Sequence, residues 1–202
     1  MTFESSKNLS AVGSLLIVIG AASGFASSFS GILSLVGMIL LLIGLKGLAN
    51  YYKEEGIFKN ALYSIITAIV GCVIGIGIIA TTAVAALADI GIEWANIEDW
   101  GNIGTDVGTV FADFDFSAIA TLIGAILVGV LILFVVMIIA MYFLRKSMNQ
   151  LSTKSGVGLF GTAGILMLIG AIIPIVGYLL IWIGFILATV AFFQMNKEEA
   201  KA

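Results

Sequence analysis

The chain has 202 residues, of which 61% are hydrophobic and only 10% are charged, and its mean hydropathy is +1.19. Soluble domains are roughly half apolar and a quarter charged, so this composition excludes an ordinary soluble domain. The formal net charge is −3, but the basic residues form no stripe interleaved with aromatic residues, and we therefore expect no nucleic-acid partner.

The first apolar region follows a short polar start and is too long for one membrane span. It is uncharged from Asn8 to Leu45. As one helix it would be about 57 Å long, whereas the hydrocarbon core of a bilayer is about 30 Å thick. Small polar residues at 23–30 provide a turn, so we predict spans at 9–22 and 31–48. A cleaved signal peptide is the alternative for the first run, although it lacks a net positive start.

The middle of the chain contains the two longest apolar runs and the most acidic segment. A connection at 46–60 carries three lysines and two adjacent tyrosines, which are typical of a cytoplasmic membrane interface. We predict the third and fourth spans at 61–88 and 116–144. Residues 89–115 between them hold seven acidic residues and no Lys or Arg. This acidic segment therefore joins two spans on the side opposite to the lysines.

The last apolar tract, residues 155–196, is interrupted by Pro174. Proline lacks the backbone N–H and so ends or kinks a helix. Each side of the proline has room for one pass, and we predict spans at 157–173 and 175–195.

The distribution of basic residues then sets the orientation. Six spans with both termini on one side place all nine Lys and Arg residues on that side, which the positive-inside rule identifies as the cytoplasm. Merging either ambiguous hairpin into one span would break this segregation. The sequence thus predicts an all-α membrane protein, a single domain over residues 1–202 with six transmembrane helices in three hairpins. The basic residues are Lys7, Lys46, Lys53, Lys59, Arg145, Lys146, Lys154, Lys197 and Lys201.

Three stretches of the chain resemble one family. They are the start FESSK, the loop GLKGLANYYKEEGIFKNAL after the second span, and the closing LFGTAGILMLIGAIIP with GFILATVAFF. Together they look like an uncharacterised family of small archaeal and bacterial integral membrane proteins, a domain of unknown function. The resemblance implies a multi-pass protein of a prokaryotic plasma membrane and favours an archaeal source. It carries over no catalytic or binding residues.

The chemistry available inside the predicted spans is limited. The chain has no histidine, and its charged residues lie only near or beyond the ends of the spans. An ion-coupled transporter or an intramembrane hydrolase would need an ionisable group within the bilayer. We therefore expect no catalytic residue, no cofactor and no metal site. Cys72 lies at mid-span without a cationic neighbour to activate its thiolate, so packing is favoured over a nucleophilic role.

Small residues recur at four-residue spacing in or beside three of the predicted spans. In lipid such residues let helix backbones approach closely. Packing within the chain is the favoured interpretation, and a dimer interface is the alternative. The residues are Gly20 and Gly24, Gly71 and Gly75, and Ala125 and Gly129.

The acidic segment also carries apolar residues at helical spacing, which predicts one or two short amphipathic helices at the outer interface. A calcium site is the alternative, but the pattern of an EF-hand loop is missing, so solvated carboxylates are favoured.

The turn around Pro174 has no polar side chain and needs cover, because unpaired backbone is costly in hydrocarbon. We predict that the segment covers this turn with Trp94, Ile97, Trp100 and Phe111.

These patterns favour a non-catalytic protein of the lipid bilayer that acts through assembly, either with itself or with another membrane protein. The alternative is a passive channel or a small uncoupled transporter. Only a few hydroxyl side chains are candidates to line a path through the spans: Ser64, Thr67, Thr81, Thr82, Thr121 and Thr162.

Overall fold

A computed structural model describes residues 1–22, 28–89, 116–173 and 176–197. Within these residues the chain forms six α-helices and no strand, which confirms the all-α prediction at this level. The helices are α1 (Phe3–Ala22), α2 (Ser28–Tyr51), α3 (Glu55–Asp89), α4 (Phe116–Ser155), α5 (Leu159–Ile172) and α6 (Gly177–Gln194).

Five of these helices are long and apolar enough to cross a membrane, and α5 is the exception. With 14 residues, α5 is about 21 Å long at about 1.5 Å per residue, which is less than a hydrocarbon core of about 30 Å. The chain is therefore a multi-pass membrane protein. The candidate spans are Phe3–Ala22, Gly31–Tyr51, Glu55–Ala85, Ile123–Ser155 and Gly177–Gln194.

Helix ends differ most from the predicted spans where polar residues continue a helix. α1 begins at Phe3, whereas the predicted span begins at residue 9. The Phe3 side chain is buried, its ring centroid lies 4.8 Å from that of Tyr51, and the Ser6 hydroxyl donates to the Thr2 carbonyl at 3.0 Å. α4 continues to Ser155, well past residue 144. Hydropathy marks the part of a helix that suits lipid, but a helix extends further wherever packing and backbone bonds support it.

The chain divides into two compact units, and α3 and α4 each contribute to both. Unit 1 comprises residues 1–68 and 137–202, and unit 2 comprises Ile69–Val136. In unit 1, α1 packs against α2 and α6, and α5 packs against α6. Its core contains Phe160 and Phe192, fully buried rings with centroids 4.8 Å apart.

The described part of unit 2 is a helix pair with little interior of its own. The remaining parts of α3 and α4 approach each other at Gly75 and Gly129, where a Cβ on Gly75 would lie 3.4 Å from the Gly129 carbonyl oxygen. Their other apolar side chains are mostly exposed, for example Val73 at 68% and Leu127 at 64%.

Candidate functional site

Helix ends that carry lysines contact one another in unit 1, and we call this region the basic end. The end of α2 meets the start of α1 through the Tyr51 and Phe3 rings, and the Tyr51 hydroxyl donates to the Lys197 carbonyl at 3.4 Å. The Lys154 ammonium lies 3.8 Å from the Glu54 carboxylate. The start of α1, the end of α2, the end of α4 and the segment after α6 are thereby brought to one end of the unit.

The start of α3 joins the same region through buried hydrogen bonds to α4. The Ser147 hydroxyl donates to the Ile57 carbonyl at 2.6 Å. The Asn60 amide donates to the Gln150 side-chain oxygen at 2.9 Å and to the Gly56 carbonyl at 2.7 Å. These bonds satisfy polar groups that would otherwise be costly to bury. Those of Ser147 and Gln150 also join α3 to α4 within unit 1.

A second polar feature, which we call the serine stripe, runs along α1. Ser6, Ser10 and Ser14 are fully buried and recur every four residues, so they lie on one face of the helix. The Ser14 hydroxyl donates to the Phe185 carbonyl at 3.1 Å and accepts from the Thr189 hydroxyl at 2.8 Å. Ser10 carries the one buried side-chain polar atom among the described residues that has no hydrogen-bond partner.

Two aromatic residues of α6 extend the link between α1 and α6. The Trp182 indole N–H donates to the Val18 carbonyl at 3.0 Å, and the Tyr178 hydroxyl donates to the Ala21 carbonyl at 2.7 Å. Residue numbers rise along α6 as they fall along α1, so the two helices are antiparallel. A small apolar cavity of about 70 Å³ lies beside these bonds.

Sequence reasoning did not identify the serine stripe. The prediction placed the first span at residue 9 and treated residues 1–7 as a polar start, so the repeat of Ser6, Ser10 and Ser14 was divided between a tail and a span. The four-residue spacing of the serines was the available signal.

The buried polar side chains among the described residues are uncharged: Ser6, Ser10, Ser14, Asn60, Ser64, Ser147, Ser155 and Thr189.

Most of the small residues predicted to pack helices are buried. Gly20, Gly71, Gly75 and Gly129 are buried, and Ala125 is half-buried. A Cβ on Gly71 would overlap the Val136 side chain, and one on Gly75 would lie 2.6 Å from the Leu133 Cγ. Their role in packing stays a prediction, and Gly24 lies outside the described residues.

The predicted cover of the Pro174 turn cannot be placed. Trp94, Ile97, Trp100 and Phe111 lie outside the described residues, as does Pro174 itself. Ile173 and Val176, which flank the turn, are 42% and 54% exposed. The cover therefore stays a prediction. Across the part of the chain that the structure describes, no three His, Cys, Asp or Glu side chains are grouped as metal ligands.

The hydroxyl groups considered for a path are spread over both units. Ser64 is buried, Thr67 and Thr82 are half-buried, and Thr121 and Thr162 are exposed. The Thr81 hydroxyl donates to the carbonyl of Gly77 in its own helix at 2.8 Å. A bond of this kind satisfies the hydroxyl without a substrate or a neighbouring helix.

Comparison with known proteins finds an archaeal relative and a matching family model. "Uncharacterized protein MJ1644" of Methanocaldococcus jannaschii is 26% identical over 197 residues, which is 96% of this chain and 94% of that protein. No solved structure matches the chain. A family model described as "Protein of unknown function (DUF996)" matches residues 33–192, from α2 to the last turns of α6. The resemblance to a membrane-protein family of unknown function is confirmed, and the chain belongs to the family DUF996.

Proposed function

We propose that the protein is a non-catalytic membrane protein that acts through assembly, with itself or with another membrane protein. The observation that carries this proposal is the exposure of α3 and α4. In their most apolar stretches only 17% and 11% of residues are buried, compared with 39% in α1. Such helices have more apolar surface than the described residues cover, and that surface is available to lipid and to protein partners.

Placement of the polar side chains supports assembly over the alternative of a passive channel or small uncoupled transporter. Ser14, Thr189, Ser147 and Asn60 use their polar groups in bonds between helices. Thr81 bonds within its own helix. A water-filled path would instead need polar groups directed toward water along the bilayer.

We further propose six passes, with both termini in the cytoplasm of a prokaryotic cell. The basic end supports this orientation because the positive-inside rule places such a cluster in the cytoplasm. The antiparallel pairing of α1 and α6 is consistent with it. Since α4 ends at the basic end and α6 ends there as well, α5 has to return the chain to the opposite end. A helix as short as α5 can cross if the bilayer thins locally and if the residues that flank the helix extend to the interface.

The oligomeric state in mild detergent tests the assembly proposal. We expect the purified protein to run as a multiple of its 21.2 kDa chain mass, or with a co-purifying membrane protein in constant proportion. Light scattering coupled to size exclusion measures the protein mass apart from the detergent. Cys72 is exposed in unit 2 and is the only cysteine, so oxidative cross-linking in native membranes provides a second measurement, with Cys72→Ala as its control. A monomer in detergent that also gives no cross-link and no partner in membranes would overturn the proposal.

A further inference from the structure

An open groove lies between the last turns of α2 and the start of α3 in unit 1. Its volume is about 210 Å³, and it is lined by Ile39, Leu42, Ile43, Lys46 and Phe58. Ile39 is 55% exposed and Ile43 is 40% exposed, so the groove opens to the surroundings of the helices. The groove thus combines an apolar floor with one cation.

Lys46, unlike Lys59 and Lys154, has no carboxylate of the described residues beside it. Among the described residues, Lys59 pairs with Glu55 and Lys154 pairs with Glu54, but no ion pair includes Lys46. The Lys46 ammonium instead lies 5.7 Å from the centre of the Phe58 ring. The ring attracts the cation weakly and leaves its charge available to an anion.

The order of residues along α2 sets the depth of each part of the groove. Ile43 and Ile39 precede Lys46 by three and seven residues, so they lie about 4.5 and 10.5 Å further from the basic end, on the same face of the helix. In the leaflet at the basic end, a phospholipid has its phosphate at the interface and its acyl chains at greater depth. In the groove, the Lys46 ammonium lies at the depth of the lipid phosphate, and the apolar side chains lie at the depth of the acyl chains.

We propose that this groove binds one acidic phospholipid, with its phosphate at the Lys46 ammonium and one acyl chain along Ile43 and Ile39. An N–H donor on a cation forms strong hydrogen bonds to phosphate oxygens, and basic pockets between helices suit acidic headgroups. The volume is below the roughly 300–1,000 Å³ of sites for drug-sized ligands, which fits one chain better than a compact small molecule. The site requires that α2 crosses the membrane, and it is independent of the proposed assembly.

Native mass spectrometry of the full chain in detergent tests the charge component. Dioleoylphosphatidylglycerol and dioleoylphosphatidylcholine have the same acyl chains. The ratio of their bound fractions therefore measures the contribution of the headgroup to binding. We expect the wild type to favour phosphatidylglycerol, and Lys46→Gln to reduce that ratio about fivefold, since one lysine near the membrane surface contributes about 1 kcal/mol. Lys53→Gln removes the same charge from an exposed lysine that does not line the groove, and it should leave the ratio unchanged.

A second pair of variants tests the acyl-chain component without changing charge. Ile39→Trp places a large ring in the groove and should lower the binding of both lipids. Ile32→Trp alters an exposed position on the same face two turns away, outside the groove, and should bind like the wild type. Both positions are exposed, so the fold tolerates the larger side chain. Equal losses in Lys46→Gln and Lys53→Gln, or equal binding by the two tryptophan variants, would overturn the site. Displacement of the lipid by inorganic phosphate would assign it to a free anion instead.

Discussion

Glycine determines how closely α1 and α2 approach. A Cβ on Gly37 would lie 2.7 Å from the Gly13 carbonyl oxygen, and one on Gly44 would overlap the Ser10 hydroxyl. Two helices can come this close only where a side chain is missing. The Ser10 oxygen therefore lies beside the backbone of Gly44, and it has no hydrogen-bond partner among the described residues.

Gly44→Ala should consequently destabilise the protein. The added methyl group would lie 2.6 Å from the Ser10 backbone nitrogen and 2.7 Å from the Ser6 carbonyl oxygen, so the backbones have to separate. Overpacking of this kind costs about 1–3 kcal/mol, which exceeds a gain of up to about 1 kcal/mol from replacing glycine in a helix. Thermal unfolding in detergent measures the difference.

Gly31→Ala is the matched control for this change. It lies on the same helix, and a Cβ there would meet no atom within 4 Å. Only the gain in helix propensity applies, so its melting temperature should equal or exceed that of the wild type. If both alanine variants have the same melting temperature, α1 and α2 do not approach each other closely at Gly44.

At the scale of the helix, α3 and α4 depend on a few close contacts in unit 2. Gly75→Leu should destabilise this pair because even its Cβ would lie 2.6 Å from the Leu133 Cγ and 3.4 Å from the Gly129 carbonyl oxygen. Gly77→Leu makes the same change two residues along the helix, where a Cβ would meet nothing within 4 Å. We expect a loss of about 1–3 kcal/mol for Gly75→Leu and little change for Gly77→Leu.

Limited proteolysis and thermal unfolding in detergent distinguish these two variants. Leu127→Ala provides a further comparison, since Leu127 is 64% exposed and its truncation creates no cavity. A Gly75→Leu variant as stable as Gly77→Leu would mean that Gly75 faces lipid.

The helices themselves could be predicted from the sequence, whereas their packing could not. Hydropathy and charge placed a helix in each of the six regions where the structure has one. They did not reveal that α1 begins at Phe3, because this start depends on the contact of the Phe3 ring with Tyr51 and on the bond from the Ser6 hydroxyl to the Thr2 carbonyl. They also did not reveal that α4 reaches Ser155, since a helix leaving the membrane loses its apolar pattern. The pairing of Ser14 with Thr189 joins residues 175 positions apart, and no local pattern specifies it.

For the whole molecule, the basic end connects the packing to the orientation in the membrane. Contacts in unit 1 join the start of α1, the end of α2, the start of α3 and the end of α4. The same helix ends carry lysines, and the positive-inside rule assigns the cytoplasmic side from such residues. The side-chain contacts bring these ends together, and the charge distribution is the basis on which we propose that this end faces the cytoplasm.

Cysteine labelling in intact cells and in inverted membrane vesicles tests this orientation. In a Cys72→Ala background, which removes the native thiol, Thr153→Cys places a thiol near the basic end, and Asn102→Cys places one in the acidic segment. Thr153 is exposed and its hydroxyl bonds only to the Asn149 carbonyl of its own helix, whereas the adjacent Ser152 is half-buried and bonded to the Val157 carbonyl. An impermeant maleimide should label Asn102→Cys in intact cells and Thr153→Cys only in inverted vesicles. The reverse pattern would place both termini outside, and labelling of both cysteines from one side would mean that the chain does not cross the membrane between them.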